Sequence, residues 1–271
     1  MSQQVDRNFD DLAMRFRRNV YGSLKGSVRL KVLERDFQQF IPEYLSDSGN
    51  KCVLDVAAGE ALFSSRLATH GCELVINDIS TEMLNLARAS IDREVDVHGE
   101  EYRKRIAIVQ SPMQQLDSVL ADEGLPEKYD LVLCHALLEW MAEPHTLVKK
   151  LTGLIKPGGY LSLTFYNMNG LAFKNLLRTN YHKFDIDNFT AFRGSLTPTH
   201  PQNPEHICEQ LNDEGFSLLC KSGIRVFHDY ILDPEQRNRD PEGLIQKELE
   251  YSRREPFWQM ARYIHYLCRY D

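Results

Sequence analysis

None of the six cysteines of this 271-residue chain belongs to a C-x-x-C pair, and several lie inside apolar runs. That spacing removes a zinc-ribbon or dithiol reading, so reduced structural thiols and no metal site are expected. Nowhere does an apolar run approach the roughly 18 residues that span a bilayer. The start, Met1-Ser2-Gln3-Gln4-Val5-Asp6-Arg7, has no secretory-leader character. A cytoplasmic protein with no membrane partner is the expectation. Cationic excess is lacking too, since 32 Lys and Arg face 39 Asp and Glu for a net charge of −7. Contact with nucleic acid would therefore need a local basic face rather than the overall field. Internal repeats and low-complexity segments are missing as well. The hydrophobic content of 42% is enough to bury a full core.

What the chain does have is alternation. Short apolar runs predict strands near 51–55, 73–77, 105–109, 129–134 and 159–165, with helical patterns near 60–70, 81–96, 113–122 and 145–155. This order gives right-handed parallel crossovers with helices on both faces. The turn Lys156-Pro157-Gly158-Gly159 ends the last of these helices and feeds the fifth strand. Two later strands near 216–228 and 260–269, with a helical pattern from Pro241 to Arg254 between them, complete the expected fold. It is an α/β, Rossmann-like, doubly wound and mostly parallel seven-stranded sheet. The chain reads as a single domain over 1–271, with an N-terminal helical cap over 1–48 and a cofactor-binding core over 49–165. An insertion near the pocket mouth follows over 166–204, where periodicity fades and Asn, Lys, Arg, Thr and Pro accumulate. C-terminal strands and a helix occupy 205–271.

The stretch Lys51-Cys52-Val53-Leu54-Asp55-Val56-Ala57-Ala58-Gly59-Glu60 reads as a buried strand that breaks into a tight loop and opens a helix. A second short strand, Leu74-Val75-Ile76-Asn77-Asp78, stops on an acid 19 residues after Gly59. In a doubly wound sheet the first loop passes its backbone along a nucleoside, and the acid ending the next strand accepts from ribose hydroxyls. A dinucleotide loop needs three glycines, and Ala57, Gly59 and Leu62 stand at those positions. Losing two of them disfavours a pyrophosphate. S-adenosylmethionine carries ribose and adenine without phosphate, and the small residues 57–59 beside Asp55 suit its methionine part, with Asp78 on the ribose. Ser80 is a plausible cap for the helix that follows. The plainer alternative is an ordinary strand-turn-helix with incidental acids.

Four segments together resemble the class I S-adenosylmethionine-dependent methyltransferases. They are Leu54-Asp55-x-x-x-Gly59, Asn77-Asp78-Ile79-Ser80-x-x-Met83-Leu84-x-x-Ala87, Tyr129-Asp130-Leu131-Val132-Leu133 and Leu154-x-Lys156-Pro157-Gly158-Gly159. The usual loop, D-x-G-x-G-x-G, carries alanine here at 57 and 61. Further segments narrow the resemblance to the bacterial tRNA 5-carboxymethoxyuridine methyltransferases over nearly the whole chain. These are Asp6-Arg7-Asn8-Phe9-Asp10-Asp11, Tyr21-Gly22-x-x-Lys25-Gly26, His135-Ala136-x-Leu138-Glu139-Trp140, Phe165-Tyr166-Asn167, Gly223-x-Arg225-Val226-Phe227-His228-Asp229-Tyr230 and Arg262-Tyr263-Ile264-His265. The resemblance implies S-adenosylmethionine as cofactor and the anticodon loop of tRNA as partner. It implies cofactor contacts at Arg29, Ala57, Ala58, Asp78, Met113, Gln114 and His135. Four of these have a plainer reading: Arg29 as a solvated helix charge, His135 as a satisfied structural histidine, Met113 and Gln114 as the start of a helix.

The implied product is the methyl ester of a carboxymethoxy group on the wobble uridine. A carboxylate, with a pKa of about 4, is already an oxygen nucleophile at neutral pH, so no catalytic base is assigned. The protein has to hold oxygen, carbon and sulfur in line. Arg225, in the segment with His228 and Tyr230, is the expected cation on the carboxylate, because a forked, delocalised donor orients without quenching. A strand arginine paired with a surface acid is the alternative. Tyr166 and Asn167, just past the fifth strand, are placed to bracket the base. Candidate RNA contacts are Arg15-Phe16-Arg17-Arg18, the run from Phe173-Lys174 through Arg178 to Tyr181-His182-Lys183, and Arg253-Arg254 with Arg262. A small-molecule methyltransferase of the quinone or fatty-acid type, and a non-catalytic cofactor-binding module, are the competing readings. The sequence carries no signal for an oligomeric state.

Overall fold

The computed structural model describes residues 6–18, 22–46, 49–185, 198 and 200–271. The parts of the expected cap and insertion at 1–5, 19–21, 47–48, 186–197 and 199 lie outside the described residues. Seven strands form one sheet: β1 (Cys52–Val56), β2 (Glu73–Asp78), β3 (Ile106–Gln110), β4 (Tyr129–His135), β5 (Ile155–Tyr166), β6 (Phe216–Ile224) and β7 (Tyr263–Tyr270). Their order is β3-β2-β1-β4-β5-β7-β6. Only β7 runs against its neighbours β5 and β6, and the other pairs are parallel. Val53, Leu54 and Val56 of β1 and Leu131, Val132 and Leu133 of β4 are all fully buried. Continuous apolar runs of this kind are what a parallel sheet covered on both faces requires. Strand order reverses between β1 and β4, and there the carboxyl ends of the strands open a crevice.

Two helices position the site. Helix Thr81–His98 starts where Ser80 Oγ accepts the Met83 amide at 3.1 Å. Its Leu84, Ala87 and Ile91 pack on the sheet. Helix Leu24–Phe40 is anchored twice, with Leu33 and Phe37 in the cluster of Val53 and Leu131, and Val28 and Val32 against Ile224 and Leu244. This double anchoring makes the N-terminal helix part of the same core and holds Arg29 over the crevice. Among the described residues no helix is long and apolar enough to cross a membrane. All six cysteines are free.

Several boundaries differ from the sequence reading, each for a local reason. The helix expected over 60–70 runs only from Ser64 to Thr69, because Ala61 is left-handed. The Lys156–Gly159 turn lies inside β5, where pairing with β4 shifts register between Tyr129 and Leu131. Gly159 is needed there, since a Cβ would lie 2.9 Å from the Lys156 carbonyl oxygen and 3.0 Å from that of Asp130. The strand expected to reach 228 stops at Ile224, since Arg225 is left-handed. Residues 166–204 hold a regular helix, Met168–Leu177, capped by the Asn167 side chain. Its periodicity is faint because Gly170, Leu171 and Asn175 are its buried positions. A helix missed between the insertion and β6, Pro204–Asp213, is capped in the same way by Asn203.

Candidate active site

The loop after β1 keeps a glycine-type backbone on alanines. Ala57, Gly59 and Ala61 have φ of 53°, 59° and 53°. A left-handed alanine costs about 1–2 kcal/mol, so packing must hold these residues. The Ala58 amide donates to Asn77 O at 2.9 Å, and the Gly59 amide to Asp78 Oδ2 at 2.8 Å. The other oxygen of Asp78 accepts the Ser80 amide at 2.8 Å. Asp78 thus ties together the loops after β1 and β2. Burial pushes its carboxyl up against the amides of Ser80, Gly59 and Ile79. Six non-glycine residues among those described have left-handed φ, and four of them, Ala57, Ala61, Ala136 and Arg225, line cavities at this crevice. Backbone strain collected in one place marks ligand-handling backbone.

Two slots of about 30 Å³ each flank the loop. Val56, Ala57, Ile79, Met113, Leu137 and Trp140 give the first an apolar lining. Asp6 and Arg7 of the N-terminal segment also line it. Asp6 accepts the Gln114 Nε2 amide at 2.7 Å and the Ala142 backbone amide at 2.9 Å. Asp10 accepts the Ser80 hydroxyl at 2.7 Å, and the Phe9 ring stands edge-on to Trp140 at 4.9 Å. The N-terminal segment is therefore strapped across the crevice, and the Gln114 amide is part of the strap.

The second slot is lined by Arg29, Asp55, Ala58, Phe63 and His135 among others. Burial pushes the Asp55 carboxyl up to about 7, against a hydrogen bond from Ser64 and the charge of Arg29. Glu139 is likewise pushed up to about 7 by burial, against backbone amides and Arg29. Arg29 forms no hydrogen bond or salt bridge among the described residues, and at neutral pH neither acid beside it is fully ionised. Its charge is left for a ligand. His135 Nε2 lies 2.8 Å from Ser162 Oγ, and burial with Arg29 and His265 holds the ring well below its ordinary pKa.

Arg29 also lines a third cavity, of about 580 Å³. Eight Lys and Arg residues line this cavity, and Asp229 is the single acid among the described lining residues. Asp229 meets Arg225 at 3.5 Å, Arg262 at 3.3 Å and His228 Nδ1 at 2.8 Å. Burial pushes its carboxyl up, but Arg225, the His228 hydrogen bond, Arg262 and Lys174 together hold it well below the usual range. Buried Glu248 fixes this segment by accepting the backbone amides of Val226, Phe227 and His228 at 2.6, 3.1 and 2.8 Å. Arg225 lies over the Tyr263 ring at 5.2 Å. Arg262 lies over Tyr166 at 4.8 Å, donates to the Tyr166 hydroxyl, and reaches Gly170 O at 2.9 Å. Lys25 and Lys174 have no salt bridge among the described residues. Burial and neighbouring guanidiniums, Arg262 foremost, push Lys174 down to about 8.

The structure brings together most of the residues singled out from sequence. Ala57 and Met113 line the first slot and Arg29, Asp55, Ala58 and His135 the second, while Tyr166, Arg225 and His228 line the large cavity. Gly59 and Asp78 are joined between the slots. Asn167 and Tyr230 line none of the three cavities. Asn167 donates to Gln259 O and Ala261 O, and Tyr230 donates to Gly170 O. Thr164 went unnoticed in the sequence. Its fully buried Oγ1 has no hydrogen-bond partner among the described residues, and the residue lines the large cavity. The signal was the alternation Ser162, Thr164 against Leu161, Leu163 in β5, which sets two hydroxyls on one face.

Residues 54–163 match the family model described as a methyltransferase domain. Over 97% of this chain and 96% of the relative, the sequence is 32% identical to the tRNA 5-carboxymethoxyuridine methyltransferase of Escherichia coli (strain K12). The chain belongs to this methyltransferase family. It is an S-adenosylmethionine-dependent enzyme. The ubiquinone biosynthesis O-methyltransferase of Coxiella burnetii (strain Dugway 5J108-111) is 29% identical over 82% of this methyltransferase and 87% of its own length. Among solved structures, the magnesium protoporphyrin IX methyltransferase of Synechocystis PCC 6803 with bound SAH is similar at a TM-score of 0.61 and 17% identity. That alignment covers 97% of this methyltransferase and 96% of the other, a likeness of fold.

Proposed function

We propose that the protein transfers the methyl group of S-adenosylmethionine to the carboxylate of 5-carboxymethoxyuridine at the tRNA wobble position, forming the methyl ester. The observation that carries this reading is the cationic cavity, which meets the cofactor crevice at Arg29. An anionic acceptor fits that lining. A quinone or fatty-acyl acceptor would need an apolar one, and eight cations cannot shed water onto an apolar group without large cost. A non-catalytic module leaves the arrangement without purpose.

The residues present fit the cofactor. The apolar residues Met113, Val56 and Trp140 would hold the adenine, Asp78 the ribose, and Arg29 the methionine carboxylate. When bound, the cofactor supplies an electrophilic methyl on its sulfonium sulfur. Everything else is positioning. Lys174 and Lys25 draw the substrate carboxylate in, and the Thr164 hydroxyl donates to one of its oxygens. Arg225 and Arg262 already share Asp229 as a partner, so they form the wall rather than the main contact. No proton has to be removed, because the nucleophile is an anion before it binds. The aromatic rings of Tyr166 and Tyr263, each backed by a guanidinium, are surfaces for the uracil ring. Arg15, Arg18 and Arg237 also line the cavity and suit phosphates of the anticodon loop. With tRNA as its substrate, the enzyme acts in the cytoplasm.

Lys174 makes the reaction pH-dependent. A lysine pushed down to about 8 is charged below that pH and neutral above it. Thus kcat/KM for modified tRNA should fall as pH rises through about 8, and Lys174→Arg should move that limb upward, both read from steady-state pH profiles. The function itself is tested with labelled S-adenosylmethionine and two tRNA preparations. Label should enter tRNA whose wobble uridine bears carboxymethoxy and not tRNA bearing methoxy. Equal labelling of both would refute a carboxylate acceptor.

A further inference from the structure

His135 ends a buried polar chain that crosses the core. Its Nε2 lies 2.8 Å from Ser162 Oγ on β5, and the same oxygen lies 3.0 Å from His265 Nε2 on β7. His265 Nδ1 in turn lies 2.7 Å from Oδ2 of Asp36 in helix Leu24–Phe40. Asp36, Ser162 and His265 have no exposure at all. Methyl transfer to a carboxylate uses none of the three, yet a buried polar chain is costly unless each member is satisfied. Asp36 and His265, with Cys220, also place three donor atoms within 4.8 Å of one another. The guanidiniums already on Asp36 would repel a metal ion there.

The direction of each hydrogen bond follows from Asp36. An ionised carboxylate only accepts. Its Oδ1 takes Arg35 Nε at 2.9 Å, Arg35 Nη2 at 2.7 Å and Arg253 Nη2 at 2.5 Å. Burial pushes the carboxyl up, but the His265 hydrogen bond and the surrounding positive charge hold it well below the usual range. Two guanidiniums already face the single carboxylate, so the chain is built on the His265 tautomer that adds no further charge beside them. The proton on His265 sits at Nδ1, where Asp36 accepts it, and Nε2 offers a lone pair. Ser162 donates its hydroxyl hydrogen to that lone pair and keeps its oxygen as an acceptor. His135 must then donate from Nε2, and its Nδ1 carries the lone pair. That atom has no hydrogen-bond partner among the described residues, and His135 lines the same slot as Arg29.

We propose that Asp36 is a positioning residue which, through His265 and Ser162, locks His135 in the tautomer whose Nδ1 accepts a hydrogen bond from the α-ammonium group of S-adenosylmethionine. The proposal rests on the cofactor assignment above. The opposite tautomer would turn an N–H toward the ammonium. Arg29 and His135 then divide the amino-acid end of the cofactor, with a cation for its carboxylate and a lone pair for its ammonium.

Ring-nitrogen NMR on isotope-labelled protein reads the tautomer directly, and wild-type His135 should carry hydrogen at Nε2. Ser162→Ala removes one oxygen from the middle of the chain and little else. In that variant the His135 signals should report mixed tautomers, and the Kd for S-adenosylhomocysteine should rise about tenfold. The Kd for 5′-methylthioadenosine, which lacks the amino-acid end, should not change. Hydrogen at Nδ1 in the wild type, or equal weakening for both ligands in Ser162→Ala, overturns the proposal. A wild type that binds 5′-methylthioadenosine but not S-adenosylhomocysteine would instead reject the assignment of the Arg29 slot, and the ammonium contact with it.

Discussion

Methionine in place of Arg29 should weaken S-adenosylhomocysteine binding about 100-fold, or about 2.7 kcal/mol, and leave 5′-methylthioadenosine binding unchanged. The size of the effect comes from how little else holds this guanidinium. Both acids near it, Asp55 and Glu139, are pushed up to about 7 by burial. Each is partly neutral at physiological pH and leaves part of the arginine charge unbalanced. A ligand carboxylate completes the pairing in a site largely closed to solvent, where a charge-assisted hydrogen bond is strong. Methionine keeps the length and apolar stem of the arginine, so the loss reports charge rather than packing. Calorimetry with the two ligands separates a local electrostatic loss from general damage, since the adenosine portion is common to both. Equal affinity of wild type and variant for S-adenosylhomocysteine would place the methionine carboxylate elsewhere.

The second large effect belongs to the acceptor cavity. Glutamate in place of Lys174 should lower kcat/KM for carboxymethoxy-bearing tRNA about 1000-fold, or about 4 kcal/mol, with S-adenosylhomocysteine binding intact. Two effects act in the same direction. The substitution removes a cation that has no salt bridge of its own among the described residues, and it sets a carboxylate in the cavity that repels the incoming substrate carboxylate. Placed on helix Met168–Leu177 and away from both slots, residue 174 should not disturb the cofactor. Steady-state kinetics on tRNA from cells lacking the enzyme, with calorimetry beside them, gives both numbers. A variant with ordinary kcat/KM would remove Lys174 from acceptor binding.

Much of this architecture was legible in the sequence because its strands are short apolar runs that stop on acids. Asp55 and Asp78 announced the crevice, and the alanines at 57 and 61 signalled a loop without phosphate. The left-handed backbone at those alanines was not legible, since it is imposed by the Ala58 and Gly59 amides reaching Asn77 and Asp78 across two strands. The acceptor cavity was read only in pieces. Its cations come from positions as distant as 15 and 262, and the segment singled out for Arg225 proved to contain the acid that balances it. Asn167 and Tyr230 follow a polar logic in sequence, but their partners are carbonyls of Gln259, Ala261 and Gly170 that only the fold brings near. Asp36 carries no mark in the sequence that sets it apart from the other charges of its helix. Its partner His265 is 229 residues away, and nothing local betrays a pairing at that separation.

The most direct test of a carboxylate acceptor is the alkali stability of the transferred methyl group. Label from S-adenosylmethionine should appear on the wobble nucleoside after enzymatic digestion, and mild alkali should release it as methanol and return the carboxymethoxy nucleoside. Ring methyl groups and ethers survive that treatment. Label that stays on the nucleoside through alkali, or that appears on no wobble uridine, would contradict ester formation by this cavity.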